Sequence, residues 1–109
     1  ERFKYCKIEI FIPGTHLAQL QKTLRSVDAG HIGNYDSCLS YTTIFDQEQS
    51  LSSEPELKVE VTCRYEDIDR TVDAIKQVHP YEEPVINVIP LIGRVFEGGS
   101  AGAAGLMPD

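Results

Sequence analysis

Two helical stripes that lie among four strand-like runs constrain the fold of this chain more than any other feature. In residues 4–12 an apolar side chain falls on every second position from Cys6 to Ile12, which is typical of a half-buried strand. After Pro13-Gly14, apolar residues recur at helical spacing, which predicts an amphipathic helix that begins behind a Thr15 cap and ends near Gly30. The stripe of this helix consists of Leu17, Leu20, Leu24 and Val27.

The second half of the chain repeats the alternation of strand and helix patterns. Residues 35–45 and 57–63 predict two hairpin-paired strands, joined by a polar, serine-rich loop over residues 46–56. A second helix follows, and His79-Pro80 ends it. Its acidic first turn contains Glu66, Asp67 and Asp69, and its apolar stripe consists of Ile68, Val72, Ile75 and Val78. Residues 84–92 predict a last strand, in which Pro90 lacks a ladder donor and therefore favours a sheet edge or a bulge.

The order strand, helix, strand, strand, helix, strand predicts an α+β fold of the ferredoxin-like βαββαβ type. Such a fold has a four-stranded antiparallel sheet with two helices on one face. We expect one domain over residues 1–93 and a Gly/Ala-rich C-terminal tail over residues 94–109. The other face of the sheet has no cover of its own, and Phe11, Tyr41 and Val88 are its candidate apolar residues. This face predicts a homo-oligomer, because a partner subunit would bury it.

Composition excludes some classes of function and favours a reducing compartment. The 109 residues carry a net charge of −7, and the ten basic residues are scattered along the chain, so we expect no binding to nucleic acid. No run of residues is apolar enough to span a membrane, and no secretory signal is visible, so the expectation is a cytoplasmic protein. Three cysteines without CxxC spacing predict neither disulfides nor a zinc site. We assign all three to the core, with Cys38 the most accessible.

Two helix-to-strand junctions carry the residues that are candidates for chemistry. The first, residues 29–36, contains glycines that would turn N–H groups toward an anion, although Gly30 also fits a left-handed helix cap. The second, residues 79–84, offers His79 and Glu82 as ligands for a divalent cation such as copper or zinc, with His31 as a third donor if both junctions lie at one end of the sheet. The candidate ligand-binding residues are Gly30, His31, Gly33, Tyr35, His79, Tyr81 and Glu82. No catalytic residues are assigned, because no nucleophile and base can be paired.

The two junctions also carry a family resemblance that spans about residues 4–92. Gly-His-Ile-Gly-Asn-Tyr-Asp-Ser-Cys at residues 30–38, followed by His-Pro-Tyr-Glu-Glu-Pro at residues 79–84, resembles the PII/CutA-like domain of the NIF-three-like (YqfO) family, in its standalone form. The second motif is similar to one in the CutA divalent-cation tolerance proteins. The resemblance implies a ferredoxin-like fold and a trimer built by contacts between sheet edges. It implies no catalysis, because the metal-binding residues of the larger family members lie in flanking halves.

The chain departs from the family pattern in two places. The loop from Asp46 to Pro55 replaces a glycine- and proline-rich hairpin, and the tail from Arg94 onward has no counterpart. We therefore expect a non-enzymatic, oligomeric binding or regulatory domain that takes a small molecule or a protein partner. The alternative is a divalent-cation-binding protein that uses His31, His79 and Glu82 and has no other cofactor. An enzyme related to metal-dependent hydrolases is third.

Overall fold

A computed structural model describes residues 3–30, 39–44 and 55–92. It contains four strands and two helices in the expected order. The elements are β1 (Tyr5–Pro13), α1 (Leu17–Ser26), β2 (Leu39–Ile44), β3 (Glu56–Arg64), α2 (Ile68–Val78) and β4 (Ile86–Leu91). A short 3-10 turn precedes each helix, at Gly14–His16 and at Tyr65–Asp67. The tail expected over residues 94–109 lies outside the described residues, and so does the loop expected over residues 46–56 except for its last two residues, of which Glu56 already belongs to β3.

The strands form one sheet in the order β2-β3-β1-β4, and every neighbouring pair is antiparallel. This arrangement confirms the predicted ferredoxin-like βαββαβ fold. β4 lies at one edge of the sheet, where Pro90 needs no donor for a ladder, as the sequence predicted. No helix in the described part of the chain is long and apolar enough to cross a membrane.

The core lies between the helices and one face of the two central strands. The alternating apolar residues of β1 and β3 lie directly opposite one another, so each pair presents its side chains to the same face. Leu20 and Leu24 of α1 and Ile75 of α2 cover that face. The twelve core residues are Cys6, Ile8, Ile10, Ile12, Leu20, Leu24, Ala29, Leu57, Val59, Val61, Cys63 and Ile75. The strand and helix stripes identified in the sequence therefore meet as predicted.

The end of α1 differs from the expectation. The helix ends at Ser26, and the left-handed residue of its cap is Asp28, with a φ of 63°, not Gly30. Asp28 N–H donates to the Arg25 carbonyl and Ala29 N–H to the Leu24 carbonyl, which is the hydrogen-bond pattern of a Schellman cap. Thr15 does not cap the helix; it lies inside the preceding 3-10 turn and contacts His16.

The uncovered face of the sheet also differs from the expectation, because it is charged at its centre. Tyr41 lies opposite Val59 and Val88 lies opposite Ile8, so both belong to the face that the helices cover. They are half exposed only because they lie on edge strands. Phe11 does lie on the uncovered face. The middle of that face carries four charged residues, Lys7, Glu9, Lys58 and Glu60, on the two central strands.

These four residues form a connected set of ion pairs. The Lys7 ammonium lies 3.7 Å from a carboxylate oxygen of both Glu9 and Glu60, and Lys58 lies 3.4 Å from Glu60. Glu9 also accepts a hydrogen bond of 3.3 Å from the side chain of Asn87 on β4. The charges of these two lysines and two glutamates therefore balance one another at the centre of the uncovered face. This centre is polar, in contrast to the apolar face that the sequence predicted.

Candidate functional site

The two helix-to-strand junctions lie at opposite ends of the sheet. β2 runs parallel to β1 and β4 runs antiparallel to it, so the segments that lead into them start at different ends. Gly30 N–H donates to the Thr62 carbonyl at one end, and the ring of His79 contacts the Phe11 carbonyl at the other. Thr62 lies opposite Lys7 on β1, and Phe11 is four positions further along the same strand. Four positions correspond to about 13 Å along a strand. The expectation that the junctions lie together is therefore wrong.

The structure gives different amounts of information on the two junctions. His31, Gly33 and Tyr35 lie outside the described residues, and so does Cys38. Gly30 is buried, with a φ of 86°, and its N–H is bonded to the sheet, so this group is not directed toward an anion. His79, Tyr81 and Glu82 are all described. His79 and Tyr81 belong to a group of contacts that we call the His79 corner, which consists of Phe11, Glu56, His79 and Tyr81, whereas Glu82 lies outside it.

His79 is the centre of this corner and is buried, with 7% of its surface exposed. One ring nitrogen, Nε2, lies 2.7 Å from the Phe11 carbonyl, and the other, Nδ1, lies 3.2 Å from the Tyr81 backbone nitrogen. A backbone N–H can only donate, so Nδ1 accepts and Nε2 carries the proton. The neutral ring thus joins two backbone groups, and neither nitrogen has a lone pair free for a metal ion in this conformation.

The Phe11 carbonyl explains why a histidine is useful at this position. Phe11 N–H donates to the Val85 carbonyl, so its backbone groups face β4, but regular β4 pairing begins only at Ile86 opposite Ile10. The carbonyl would have no strand partner there. The His79 side chain supplies the missing donor, which extends the edge of the sheet by one hydrogen bond.

Tyr81 connects the corner to the start of β3. Its hydroxyl donates to Glu56 Oε1 at 3.1 Å, and its ring packs against the ring of His79 at a centroid distance of 5.0 Å. Burial, together with the hydrogen bond and the negative charge of Glu56, raises the pKa of Tyr81. The phenol nevertheless remains 45% exposed. Tyr81 therefore presents a neutral aromatic group at the surface at physiological pH.

The residues after Tyr81 form an exposed, acidic surface at this end of the sheet. Glu82 and Glu83 are exposed, and Val85 is an exposed apolar residue beside them. Within the described ranges, no three His, Cys, Asp or Glu side chains are close enough together to hold a metal ion. The hydrogen bonds of the corner hold the junction in place, and Tyr81, Glu82 and Val85 lie exposed beside them.

The two described cysteines lie at the opposite end of the sheet and belong to the core, as predicted. Cys6 and Cys63 are directly opposite on β1 and β3, with their sulfur atoms 3.5 Å apart. Burial raises the pKa of Cys6 and raises that of Cys63 to about 12. Both thiols are therefore protonated at neutral pH and poorly reactive, because the thiolate is the nucleophilic form.

Comparison with known proteins supports the class that the fold indicates. The structure is similar to the periplasmic divalent cation tolerance protein CutA from Archaeoglobus fulgidus, with a TM-score of 0.63 and 23% identity over 84% of this chain and 87% of that one. It is also similar to Arabidopsis thaliana PII bound to citrate, with a TM-score of 0.60 and 15% identity over 82% of this chain and 78% of that one. The chain thus has the PII/CutA-like fold.

Two further similarities identify the family. A GTP cyclohydrolase 1 type 2 homolog of Listeria innocua is 31% identical over 95% of this chain. A Bacillus cereus protein related to NIF3 is 31% identical over 84% of this chain, with a TM-score of 0.70. The chain is accordingly a PII/CutA-like domain of the NIF-three-like family, as the motif resemblance indicated.

The chain corresponds to only part of these relatives. It spans 31% of the Listeria innocua protein and 26% of the Bacillus cereus protein. Across the four curated relatives that match, the share lies between 26% and 31%. No family model matches the chain.

Proposed function

We propose that this chain is a non-enzymatic, homo-oligomeric binding domain whose ligand docks beside the His79 corner. The observation that supports this proposal most is that one residue of this corner is used for structure while its neighbours are left exposed. His79 holds the backbone with both ring nitrogens, whereas Tyr81, Glu82 and Val85 lie exposed beyond it. A rigid frame with exposed aromatic, apolar and acidic groups suits recognition, because the contact groups need no reorganisation when a ligand binds.

The chemistry of the exposed groups defines the ligand that would fit. The acidic pair Glu82 and Glu83, within a chain of net charge −7, favours a cationic or hydrogen-bond-donating ligand over an anion. The Tyr81 ring offers a flat surface for an aromatic or aliphatic group. We therefore expect a small molecule or a peptide segment that combines an apolar body with a positive or donor group.

Divalent-cation binding by His31, His79 and Glu82 is the second candidate. It is favoured by the position of His79 and Glu82 in one junction, three residues apart. It would require a cation to displace a hydrogen bond of 2.7 Å or 3.2 Å from His79. It would also require His31 to approach from a junction that begins at the other end of the sheet. These requirements make it the weaker proposal.

Titration calorimetry with Zn²⁺ and Cu²⁺ separates the two candidates. The binding-domain proposal expects no heat that depends on His79, and the same result for the wild type and for His79→Gln. Heat that is present in the wild type and absent in His79→Gln would contradict it and support the cation alternative. The fold of each variant should be verified by circular dichroism before the titration.

A pair of tyrosine variants tests where the ligand docks. Tyr81 and Tyr65 are exposed to similar degrees, 45% and 40%, but lie at opposite ends of the sheet. If a small molecule is retained through purification, its extra mass in native mass spectrometry should be lost in Tyr81→Ala and kept in Tyr65→Ala. Equal loss in both variants, or loss only in Tyr65→Ala, would contradict docking at the His79 corner.

A further inference from the structure

Two cysteines occupy the same register position on the two central strands of the sheet. Cys6 on β1 lies directly opposite Cys63 on β3, whereas the next core pair along these strands, Ile8 with Val61, is apolar. Both cysteines are free thiols, and their sulfur atoms lie 3.5 Å apart. They are 57 positions apart in the chain, so no local pattern in the sequence predicts this contact. The fold therefore brings two oxidisable groups together.

The backbone at this position has the spacing that a disulfide requires. Phe11 N–H donates to the Val85 carbonyl on the β4 side of β1. Backbone groups alternate between the two sides of a strand, so those of Cys6, five positions earlier, point toward β3. Cys6 and Cys63 are therefore a hydrogen-bonded pair, in which the two Cα atoms lie about 5.5 Å apart. This distance lies within the range of about 4.4–6.8 Å that disulfides span.

The two side chains need little movement to form the bond. The S–S distance of a disulfide is about 2.05 Å, so each sulfur would move by about 0.7 Å from the present separation of 3.5 Å. Cys6 is 0% exposed and Cys63 is 2% exposed, on the face that the helices cover. A metal site would need further ligands, and within the described ranges no group of three His, Cys, Asp or Glu side chains is close enough together to hold an ion.

Oxidation of this buried pair requires the end of the sheet to open. Cys6 is the second residue of β1, and Cys63 is the last but one of β3. Strand ends open at a lower free energy than strand centres. Burial raises the pKa of both thiols in the closed sheet, so the reactive thiolate forms only during such openings. We therefore expect oxidation to be slow but possible in the folded protein.

We propose that Cys6 and Cys63 are a modification site, at which a small-molecule disulfide such as oxidised glutathione converts the pair into a reversible disulfide between β1 and β3. One cysteine thiolate attacks the small disulfide, which gives a mixed disulfide and releases one reduced thiol. The other cysteine attacks the protein sulfur of the mixed disulfide and releases the second reduced thiol. The protein loses two electrons and two protons, and the two released thiols take them up.

This site is independent of the proposed ligand site. Cys6 lies five positions before Phe11 on β1, which corresponds to about 17 Å along the strand. The disulfide would close a loop that contains α1 and β2, and it would leave the His79 corner unchanged. Its presence or absence can therefore be tested without knowledge of the ligand.

Tryptic peptide mapping tests the pairing in the wild-type chain. Trypsin cleaves after lysine and arginine, so Cys6 falls in the peptide Tyr5–Lys7, Cys63 in the peptide Val59–Arg64 and Cys38 in a third peptide. The folded protein is incubated with oxidised glutathione, and the remaining thiols are then blocked with iodoacetamide in urea. Mass spectrometry should show Tyr5–Lys7 linked to Val59–Arg64. Absence of this link, whether the thiols stay free, keep glutathione or pair with Cys38, would overturn the proposal.

A variant that exchanges two core residues of β3 is the matched control. In Val61→Cys/Cys63→Val the cysteine moves two positions along the same face, where it is diagonal to Cys6 and no longer opposite it. Diagonal neighbours lie about 7–8 Å apart, which is beyond the reach of a disulfide. This variant, verified as folded by circular dichroism, should give at least about ten-fold less of the linked peptide. Equal linkage in the two proteins would overturn the proposal.

The melting temperature of the wild type gives a second measurement that needs no variant. A disulfide that closes a long loop restricts the unfolded chain, so the oxidised form should melt at least about 5 °C higher than the same protein after reduction. A melting temperature that stays the same or falls on oxidation would overturn the assignment, because it would show that the bond does not fit the native sheet.

Discussion

Replacing His79 with alanine should destabilise the domain by about 2–4 kcal/mol. The change removes the donor to the Phe11 carbonyl and the acceptor for Tyr81 N–H, at 2.7 Å and 3.2 Å. Losing a hydrogen bond costs about 1 kcal/mol when water can replace the lost partner, and about 1–3 kcal/mol instead when the remaining group is buried and stays without a partner. We count the full penalty only for the Phe11 carbonyl, because Tyr81 N–H is near the surface and water can reach it.

Urea denaturation followed by circular dichroism at one protein concentration measures this effect. Glu82→Ala is the matched control, since it lies in the same junction but is exposed, and it should change the free energy of unfolding by no more than about 0.5 kcal/mol. His79→Gln should recover part of the loss because its amide can still donate to Phe11. A loss below about 1 kcal/mol for His79→Ala, or equal losses for both alanine variants, would refute a structural role for His79.

Three further predictions concern ionisation and burial. The pKa of Tyr81 is raised in the folded protein, so its contribution to stability is fully present below the unfolded tyrosine pKa of about 10 and is lost as pH rises through the folded pKa. In an ultraviolet titration, the Tyr81 phenol of Glu56→Gln should therefore ionise at lower pH than that of the wild type. Cys63, with a pKa of about 12, should resist iodoacetamide at pH 8 in the folded protein and react in urea, and equal rates in both would contradict its burial. The Thr71 hydroxyl is buried, and the only partner it has among the described residues is the weakly bonding Cys63 thiol, so Thr71→Val should leave the melting temperature unchanged or raise it, whereas a large fall would show that this contact stabilises the core.

The strands and helices were predictable from the sequence where one face of an element is buried. The alternation in residues 4–12 and the stripe of α2 record contact with a single core, and the structure places α2 at Ile68–Val78, where the stripe begins and ends. The end of α1 was not predictable in the same way. Val27 continues the apolar stripe after the helix has stopped, and both Asp28 and Gly30 adopt positive φ. Only the hydrogen bonds of the cap distinguish them.

The uncovered face was harder to predict because it depends on register. Tyr41 points toward the helices because it lies opposite Val59. This register between β2 and β3 could not be predicted, because the sequence of the hairpin loop does not fix which residues of the two strands pair. Two of the four charged residues at the centre of this face could be predicted from the sequence, since Lys7 and Glu9 alternate with the core residues of β1. Their contact with Glu60 required the pairing of β1 with β3.

The role of His79 shows a different limit. The His-Pro-Tyr-Glu motif identified the junction and the family, but its histidine suggested a metal ligand to be shared with His31. Strand direction alone argues against a shared end, because β1 and β2 run parallel while β4 runs antiparallel. The hydrogen bond to Phe11 joins residues that are 68 positions apart, and no local pattern predicts it.

Native mass spectrometry of protein purified without added metal tests the central claim most directly. The claim is that this PII/CutA-like domain works as an oligomeric binding module in which His79 is part of the frame. It predicts a homo-oligomer in which any retained mass is an organic ligand that survives in His79→Gln. A monomer, or an assembly that carries stoichiometric zinc or copper and loses it in His79→Gln, would contradict the claim.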